Sequence, residues 1–304
     1  MRVLTLAAGL ALGLAAAGCS DARIDPIPAW TPWEAIEGPF RPEVRHAASP
    51  APGRDRMRVL TYNVWRGVDV DALAPYLLAH PELAAADLVL LQESDDYPSE
   101  VTSDASRLAA ELGMSHVYAP TGEQRRGTRG LAILSRFALR EIEVMFLEEA
   151  PELELVEPAA RAAVAVVIDT PGGPVRVINV HLDVALNITE RILQLRPTIL
   201  EAPDRVVVAG DFNTNDYVWA EATVPLLPLD AVADTSQAVA LDGYMRGLGF
   251  RTPTAAFGAT WRGFPEDQRL DAIFTRGVEV DDGAVERALK LSDHWPVWLD
   301  LEVR

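Results

Sequence analysis

The chain is poor in cysteine and in positive charge. Cys19 is the single cysteine among 304 residues, so it has no disulfide partner within the chain. Lys and Arg number 27 against 45 Asp and Glu, a formal net charge of -18. This excess repels polyanions and weighs against a broad nucleic-acid or anionic-membrane surface, although a local basic patch stays open. No segment repeats at a fixed period, and the 49% hydrophobic content suffices for one large domain or two small ones.

Residues 1–18 have the pattern of a targeting signal. Arg2 supplies a short positive region, and residues 3–17 form an apolar run that is short for a transmembrane helix. The run ends in "LAAAGCS", which resembles the lipobox of bacterial lipoproteins, with Ala16 where Leu is commonest. The resemblance implies a signal peptide, then a lipid on Cys19 that anchors the exported protein to a membrane of the bacterial cell envelope. The alternative is an ordinary signal cleaved nearby, which would make the protein secreted or periplasmic.

Residues 19–56 are dense in proline and show no apolar period, as in "DPIPAWTPWEAIEGPFRPE". Proline fixes φ and removes a hydrogen-bond donor, so we interpret this segment as an extended tether rather than a packed element. Trp30, Trp33 and Phe40 are expected to pack on the domain surface, with a docking role as the alternative. One catalytic domain is then predicted over residues 57–304.

Beyond the tether, apolar strand patterns alternate with helical ones. Strands are predicted at "MRVLTYNV", "DLVLLQE", "GLAILS", "RAAVAVVID", "VRVINVHL", "RVVVAGD", "RLDAIFT" and "PVWLDLEV". Helices are predicted at "DVDALAPYLLAHP", "SDASRLAAELG" and "TERILQLRPTILEA". Pro75 should lie in the first turn of its helix or break it, and Pro197 should interrupt the third helix. The pattern predicts an α/β (α+β) fold of two packed sheets with helices outside.

Polar residues break the apolar pattern where these strands end or begin. They are Asn63, Glu93, His181, Asp211, Asn213, Asp271, Asp293 and His294. Ligand sites in sheet proteins gather at such strand ends. Carboxylate and amide oxygens are the ligands of a hard cation such as Mg²⁺, and histidine transfers protons near neutral pH. Taken singly, each residue could equally be a helix cap or a turn former.

The ordered motifs "LTYNVW", "LQE", "RGLAILSR", "NVHLD", "GDFNT", "RLDAIF" and "LSDHWPV" resemble those of the endonuclease/exonuclease/phosphatase superfamily, the DNase I-like proteins. The resemblance covers the chain from Met57 onward. It implies a four-layered α/β/β/α sandwich of two packed mixed sheets with outer helices, in agreement with the two-sheet prediction. It also implies a hydrolase that acts on phosphoester bonds with Mg²⁺, or alternatively Mn²⁺, as cofactor.

The resemblance assigns the metal site position by position. Asn63 and Glu93 match the main Mg²⁺ site, with Glu93 as the direct carboxylate ligand. Asp211 and Asn213 match the pair that positions the attacking water and binds the phosphate or a second metal ion. Asp293 matches a further residue near the metal.

The resemblance also assigns proton transfer and phosphate contacts. His181 matches the histidine that steadies the phosphate oxygens, and His294 matches the general base. Asp271 matches the carboxylate that orients this base. Successive residues of an extended chain point to opposite faces, so Asp293 is poorly placed for that task, which favours Asp271.

A divalent cation offsets the charge of a phosphate ester while a base deprotonates water for in-line attack. Neither cysteine nor serine is needed as nucleophile, so we expect direct hydrolysis without a covalent intermediate. Arg129 precedes a strand and either contacts substrate phosphate or is a solvated loop charge. Tyr118, Asn187 and Asn215 are expected to be structural, and His116 to lie at the surface.

The motifs define phosphoester chemistry and leave the attached group open. The favoured interpretation is an envelope-anchored phosphodiesterase or phosphatase for a small or lipid-derived substrate, acting as a monomer. The alternative is a DNase I-like secreted nuclease. The acidic balance counts against it, whereas the cluster of Arg125, Arg126 and Arg129 in "GEQRRGTRG" counts in its favour. A third interpretation, a binding lipoprotein without catalysis, is disfavoured by the intact set of site residues.

Overall fold

The structure is a computed structural model. It describes residues 28–65, 67, 69–97, 99, 101–124, 127–148, 160–219, 233–263 and 266–304. The predicted signal peptide, Cys19, Arg125 and Arg126 lie outside the described residues. No helix within the described ranges is both long enough and apolar enough to cross a membrane.

Thirteen strands and four α-helices make up the regular structure of the described residues. The strands are β1 (Thr31–Pro32), β2 (Glu43–Arg45), β3 (Arg56–Asn63), β4 (Leu88–Asp96), β5 (Ser115–Gln124), β6 (Gly127–Ser135), β7 (Arg140–Phe146), β8 (Ala162–Thr170), β9 (Gly173–His181), β10 (Val206–Asp211), β11 (Asp271–Arg276), β12 (Glu279–Val285) and β13 (Val297–Glu302). The helices are α1 (Val70–Ala79), α2 (Asp104–Leu112), α3 (Ile188–Ile199) and α4 (Gln237–Gly247).

The strands form two mixed sheets that pack face to face. The six-stranded sheet has the order β1-β7-β8-β9-β10-β11, and the seven-stranded sheet has the order β12-β13-β3-β4-β6-β5-β2. One apolar core lies between the sheets, a second under α1 and α2, and a third under α3 and α4. These three cores separate four layers, which confirms the predicted α/β/β/α sandwich.

Side-chain alternation within single strands explains the layering. In β3, Val59 belongs to the core between the sheets, whereas Leu60 packs with the helices on the outer face. In β10, Val207 faces the other sheet, whereas Val208 faces α3 and α4. Successive side chains of a strand point to opposite faces, so a continuous apolar run indicates a strand that is covered on both.

The parallel pairs β3–β4 and β9–β10 bring the polar strand ends together. Asn63, the last residue of β3, lies beside the β4 residue that precedes Glu93. Asp211, the last residue of β10, lies in register with His181 of β9 on one side and Asp271 of β11 on the other. Asn63 and Asp211 are hydrogen-bonded at 3.0 Å, so these ends of the two sheets meet at one end of the sandwich.

Two helices contain a proline and continue through it, so the predicted interruptions are wrong. Pro75 lies in the second turn of α1, and Pro197 lies inside α3. A proline within a helix leaves the carbonyl four residues earlier without its usual donor. Those carbonyls belong to the exposed residues Asp71 and Leu193, where water can replace the missing donor.

Residues 31–45 pack on the domain, so the interpretation of this part as an extended tether is wrong. β1 pairs with β7 and β2 pairs with β5, which covers one edge of each sheet. Ile36 is 8% exposed in the core between the sheets, and Trp33 packs on the same core. The Arg176 guanidinium lies 4.7 Å from the ring centre of Trp30. This contact matches the expected packing of the tryptophans on the domain surface.

A charged contact also ties this segment to the domain. His116, expected at the surface, is instead 2% exposed, with Nε2 at 3.8 Å from Glu43 Oε1. Glu43 also accepts a hydrogen bond from the Ser103 hydroxyl at 2.8 Å. Burial by itself raises the pKa of the Glu43 carboxyl, but His116 and Ser103 outweigh burial and lower this pKa to about 2.

Candidate active site

A cavity of about 540 Å³ opens where the polar strand ends meet. Six of the eight predicted strand-end residues line it directly: Glu93, His181, Asp211, Asn213, Asp293 and His294. The other two lie one layer behind the lining. Asn63 is hydrogen-bonded to Asp211, and Asp271 is hydrogen-bonded to His294.

His294 is held by a buried carboxylate from another strand. Its Nδ1 lies 2.8 Å from Asp271 Oδ2, and the same oxygen accepts from the Thr260 hydroxyl at 2.7 Å. Thr260 Oγ1 in turn accepts the backbone N–H of Asp271 at 2.9 Å. With Nδ1 donating to the carboxylate, Nε2 is left toward Asp211, 3.8 Å from its Oδ2. The His294–Asp271 pairing favoured by strand alternation is therefore present.

Asp293 interacts with other residues than His294. Its Oδ2 accepts the indole N–H of Trp261 at 3.0 Å. The preceding Ser292 donates its hydroxyl to the Asn63 carbonyl at 2.8 Å and accepts the backbone N–H of His294 at 3.1 Å. This serine fastens the start of the final strand segment to the end of β3.

Asp211 is the centre of the polar network. Its Oδ2 accepts from Asn63 Nδ2 at 3.0 Å and lies 3.5 Å from His181 Nε2, while Oδ1 accepts the backbone N–H of Asn213 at 2.8 Å. Burial, reinforced by the nearby Asp271 carboxylate, raises the pKa of Asp211 to about 7. A positive charge in the cavity would favour its ionised form.

A β-bulge turns Glu93 toward the cavity. The register of β4 against β6 shifts between Leu91 and Ser94, and Glu93 has a φ of 58°. Its Oε1 lies 3.4 Å from Asn63 Nδ2. Bulges re-aim side chains in this way, and they are frequent beside active sites.

Arg129 lines the cavity, which contradicts its interpretation as a solvated loop charge. It donates to the fully buried Asp95 through Nε at 2.9 Å and Nη2 at 3.2 Å. Its Nη1 lies 3.5 Å from Glu93 Oε2. Asp95 therefore fixes the guanidinium at the cavity, and its contact with substrate phosphate stays a prediction.

Asn213 has a left-handed backbone, with a φ of 50°, and its Nδ2 donates to the Leu182 carbonyl at 2.8 Å. Asn215 donates in the same manner to the Val184 carbonyl at 3.0 Å. Both amide groups thereby join the loop after β10 to the loop after β9. Asn tolerates the left-handed region better than most residues, which suits it to this position.

The two histidines have opposite environments. Burial, followed by the Arg161 guanidinium whose Nη1 lies 3.0 Å from Nε2, holds the pKa of His181 well below its ordinary value. Burial also opposes protonation of His294, but the Asp271 carboxylate outweighs burial and raises the pKa of His294 to about 9.

The donor groups fit a divalent cation. Asp211, Asp271 and His294 each offer one ligand atom, and these atoms lie within 4.8 Å of one another. Asp271 Oδ1 is buried and has no hydrogen-bond partner among the described residues. Glu93 adds a carboxylate near Asp211, and Asn63 Nδ2 donates to both carboxylates, at 3.4 and 3.0 Å. Such oxygen ligands suit Mg²⁺ and related hard cations.

Sequence reasoning missed eight residues of the cavity lining. They are Trp65, Arg161, Val184, Tyr217, Trp219, Trp261, Gln268 and Leu270. The sequence could have indicated Arg161, since it is a charged residue directly before the apolar run of β8. The aromatic residues come from three loops, after β3, after β10 and before β11, so the sequence carries no pattern that would group them.

Comparison with known proteins supplies the class. The sequence model of the Endonuclease/Exonuclease/phosphatase family matches residues 60–294. No curated protein matches the chain significantly in sequence. An endonuclease/exonuclease/phosphatase from Beutenbergia cavernae has a similar structure, with a TM-score of 0.56 and 21% identity over 82% of this chain and 72% of that one.

Two further solved structures are similar over most of the chain. An endonuclease/exonuclease/phosphatase family protein from Leptotrichia buccalis has a TM-score of 0.59 and 16% identity, covering 81% of this chain and 99% of that one. An AP endonuclease from Archaeoglobus fulgidus has a TM-score of 0.53 and 16% identity, covering 80% of this chain and 98% of that one. At these identities the similarity shows the fold.

The family match spans most of the chain, and the two-sheet sandwich agrees with it. The chain belongs to the endonuclease/exonuclease/phosphatase family, whose members are phosphoester hydrolases. The resemblance predicted from the ordered motifs is confirmed.

Proposed function

We propose that the protein is a Mg²⁺- or Mn²⁺-dependent phosphoesterase, anchored in the bacterial cell envelope, that hydrolyses a small or lipid-derived phosphoester. One observation carries the proposal. His294, paired with Asp271, faces Asp211 at 3.8 Å in a cavity that also holds Glu93 and His181. An oriented imidazole and clustered carboxylates are the groups that metal-assisted hydrolysis needs.

Glu93, Asn63 and Asp211 are the residues we expect to hold the cation. When bound, the cation offsets the negative charge of the phosphate and polarises its P–O bonds. Burial and the neighbouring Asp271 carboxylate raise the pKa of Asp211, so a bound cation would favour its ionised form. Asn63 donates to both carboxylates, at 3.0 and 3.4 Å, and so holds their oxygens close to each other.

A bound cation would oppose protonation of the nearby His294 imidazole, and in that state His294 is the residue that takes the proton from the attacking water. Its Nδ1 is fixed by Asp271, so Nε2 is the atom that accepts this proton. The carboxylate also stabilises the imidazolium that forms. Asp211, 3.8 Å away, can accept a hydrogen bond from the same water and orient it.

Cationic and neutral donors complete the site for the phosphate. Arg129 and Arg161 line the cavity together with His181, whose Nε2 lies 3.0 Å from Arg161 Nη1. Guanidinium groups suit phosphate because their planar donors match its oxygens. Asp95 and Asp183 hold the two guanidinium groups from behind, at 2.9 and 3.4 Å.

Cavity size and charge favour a small substrate over a long polyanion. A volume of about 540 Å³ lies in the range of sites for small ligands. The formal charge of -18 repels nucleic acid outside this cavity.

The substrate panel is the decisive experiment. The purified chain is assayed with Mg²⁺ or Mn²⁺ on a chromogenic phosphodiester, a phosphomonoester, sphingomyelin and plasmid DNA, each with an EDTA control. We expect metal-dependent release from the small or lipid esters. Nicked plasmid without activity on the other esters would reverse the substrate assignment to a nuclease. Absence of both hydrolysis and metal binding would favour a binding protein.

Glu93→Ala tests the metal assignment. We expect it to weaken Mn²⁺ binding in calorimetry and to raise the Mn²⁺ concentration needed for half-maximal rate. Glu111→Ala, which removes an exposed carboxylate from α2, is the matched control and should leave both values unchanged. Equal Mn²⁺ affinity of Glu93→Ala and the wild type would remove Glu93 from the metal site.

Membrane attachment is tested separately. The full chain and its Cys19→Ser variant are expressed in bacteria, and the membrane and soluble fractions are compared. We expect the variant to leave the membrane fraction because it lacks the lipid-accepting thiol. Unchanged membrane association would contradict the lipoprotein assignment without affecting the assignment of the hydrolase.

A further inference from the structure

We infer that Val184, Tyr217 and Trp219 form an apolar wall of the cavity that receives a planar aromatic group attached to the phosphate, and that Asn187 positions this wall. The inference rests on the proposed hydrolysis and names the class of group that the phosphoester carries. None of the three wall residues bears a charge, whereas the strand-end residues that line the same cavity are all polar.

The wall belongs to two loops that are joined side by side. Val184 follows β9, and Tyr217 and Trp219 follow β10. Asn215 joins the loops by donating from Nδ2 to the Val184 carbonyl at 3.0 Å. Both aromatic side chains are half-buried and line the cavity, so each has one part packed and another part facing the cavity.

Asn187 holds the backbone of Trp219 with both ends of its amide. Nδ2 donates to the Trp219 carbonyl at 2.8 Å, and Oδ1 accepts the Trp219 N–H at 2.8 Å. This two-point contact fixes the main chain that carries the indole. Asn187 is also the residue before α3, where its own N–H donates to Glu190 at 2.7 Å.

A buried arginine braces the same two loops from behind. Arg191 of α3 is fully buried and donates to the carbonyls of Asp183 and Val184, at 2.9 and 2.7 Å. It also contacts Gln237 of α4, which donates to the Tyr217 carbonyl at 2.7 Å. Loops are usually mobile, and a loop fixed by this many side chains is pre-organised for a ligand.

The chemistry of Trp219 favours stacking over hydrogen bonding. Its indole N–H already points to Asn215 Oδ1, at 3.4 Å. The ring therefore offers the cavity its apolar surface rather than its one donor. A flat apolar surface beside a phosphate site suits a planar ring, because stacked or edge-to-face rings gain more than their buried area alone.

The test uses diesters with one leaving group and different second groups. Benzyl methyl phosphate, n-hexyl methyl phosphate, methyl phosphorylcholine and dimethyl phosphate share methanol as the common leaving group, and its release is followed. For the wild type we expect the highest kcat/KM on the benzyl ester. A higher value for the hexyl ester would assign the wall to an acyl chain, and a higher value for the choline ester would assign it to a quaternary ammonium group. Either result overturns the inference.

Trp219→Ala tests the wall itself. We expect KM for the benzyl ester to rise roughly 5- to 100-fold, the size of a ring-stacking contribution, with kcat nearly unchanged. The methyl ester should change by less than about threefold, a ratio too small for lost stacking. Trp219→Phe keeps a planar ring and should restore most of the benzyl preference. An equal loss on both esters, or no loss on either, would contradict the wall.

Asn187→Asp tests the positioning role. Aspartate still accepts the Trp219 N–H and still suits a helix start, but it cannot donate to the Trp219 carbonyl. We expect the benzyl-to-methyl ratio of kcat/KM to fall several-fold. Glu190→Ala is the matched control, because it removes the other contact at the start of α3 and leaves the Asn187–Trp219 pair intact. A lower melting temperature with an unchanged ratio would make Asn187 merely structural.

A wrong assignment of the wall can be distinguished from a wrong proposed function. If the wild type hydrolyses none of the esters with Mg²⁺ or Mn²⁺, the proposed function is overturned. Calorimetry with benzylphosphonate and methylphosphonate then decides the wall. Tighter binding of benzylphosphonate to the wild type and its loss in Trp219→Ala would support it, and equal binding of the two phosphonates would overturn it.

Discussion

The two histidines of the cavity are chemically identical and lie on either side of Asp211, yet their surroundings give them opposite properties. His181 Nε2 lies 3.5 Å and His294 Nε2 lies 3.8 Å from the same oxygen, Asp211 Oδ2. Both are buried, which disfavours the charged form of each. What differs is the second neighbour, the Arg161 guanidinium beside His181 and the Asp271 carboxylate beside His294. Burial and the Arg161 guanidinium together keep His181 neutral, whereas the Asp271 carboxylate outweighs the same burial at His294.

The two environments suit different tasks. His181 is kept neutral, so it can accept from Arg161 and serve as part of the phosphate-binding side. His294 has a carboxylate that stabilises its imidazolium, so it is the stronger base of the two. Catalytic sites often separate titrating groups in this manner, and pairs with diverging pKa values mark acid and base roles.

The largest effect is expected from His294→Ala. Loss of a general base lowers rates by roughly 10²- to 10⁴-fold, so we expect kcat to fall by this factor on the best ester of the panel. Mn²⁺ affinity should survive, because the carboxylates of Glu93 and Asp211 supply the ligands. Wild-type rates would remove His294 as the base, whereas lost Mn²⁺ binding would make it a metal ligand.

The matched variant on the other side is His181→Ala. We expect a higher KM and a smaller loss of kcat, since a neutral histidine that steadies phosphate contributes mainly to binding. Steady-state kinetics of both variants on one ester makes the comparison direct. If the two variants lost kcat equally, the histidines would act as one unit rather than as two separate groups.

Asp271→Asn should reduce the pH dependence of the free energy of unfolding that protonation of His294 causes. The pKa of His294, about 9 in the folded chain, exceeds its ordinary value of 6.5, so the folded state binds the proton more tightly. The resulting stabilisation is fully present below pH 6.5 and is lost as pH rises through 9. It amounts to on the order of 3 kcal/mol, by the conversion of pKa differences into free energy.

The measurement is urea unfolding of the metal-free protein in EDTA between pH 6 and 10. We expect the wild type to lose stability across this range and Asp271→Asn to lose distinctly less. Asp300→Asn, which removes an ion-pair partner of Arg58 far along β13, is a control that should keep the wild-type slope. Identical slopes for Asp271→Asn and the wild type would mean that Asp271 does not hold the proton on His294.

The His294 side was largely predictable from the sequence, and the physical reason is local. Asp271 begins β11 and His294 lies just before β13, and polar residues at the ends of apolar strands are conspicuous. The family resemblance assigned Asp271 as the partner, and alternation in an extended chain argued against Asp293. The two-sheet sandwich was predictable for a similar reason, since strands covered on both faces read as continuous apolar runs.

The His181 side was only half predictable. His181 ends an apolar strand and was found, but Arg161 reaches it from just before the neighbouring strand β8, through a contact of 3.0 Å that no local pattern encodes. The apolar wall of Val184, Tyr217 and Trp219 was missed for the same reason. Trp219 acquires its position through Asn187, which lies 32 residues away in sequence.

Three of the elements that sequence patterns missed, β5, β12 and α4, have weak periodicity. β5 contains Pro120 and a register shift before Gly122, which breaks its apolar alternation. β12 is an acidic edge strand with a bulge after Val280, so it lacks an apolar face. Helix α4 contains Gly243 and Gly247, which lower helix propensity, and tertiary packing on the six-stranded sheet overrides this preference.

The smallest effect is expected from substitution of Arg161. It tests whether the Arg161 charge lowers the pKa of His181, as the Asp271 charge raises the pKa of His294. Arg161→Gln removes the charge beside His181, so the pKa of His181 should rise, although burial still opposes protonation. Arg161→Lys keeps the charge and should keep the pKa low. Titration of the His181 ring signals by NMR in the metal-free protein reports this directly. We also expect KM to rise roughly tenfold in Arg161→Gln, the size of one charged hydrogen bond to phosphate.

The outcome decides what keeps His181 neutral. An unchanged pKa in Arg161→Gln would leave burial as the cause, and the difference between the histidines would then rest on Asp271 alone. A pKa that rises in Arg161→Gln and stays low in Arg161→Lys would show that two opposite charges, Arg161 before β8 and Asp271 of β11, set the two histidines apart. In that case exchanging the charges should bring their pKa values together: the double variant Arg161→Gln/Asp271→Asn should titrate its two histidines closer to each other than the wild type does.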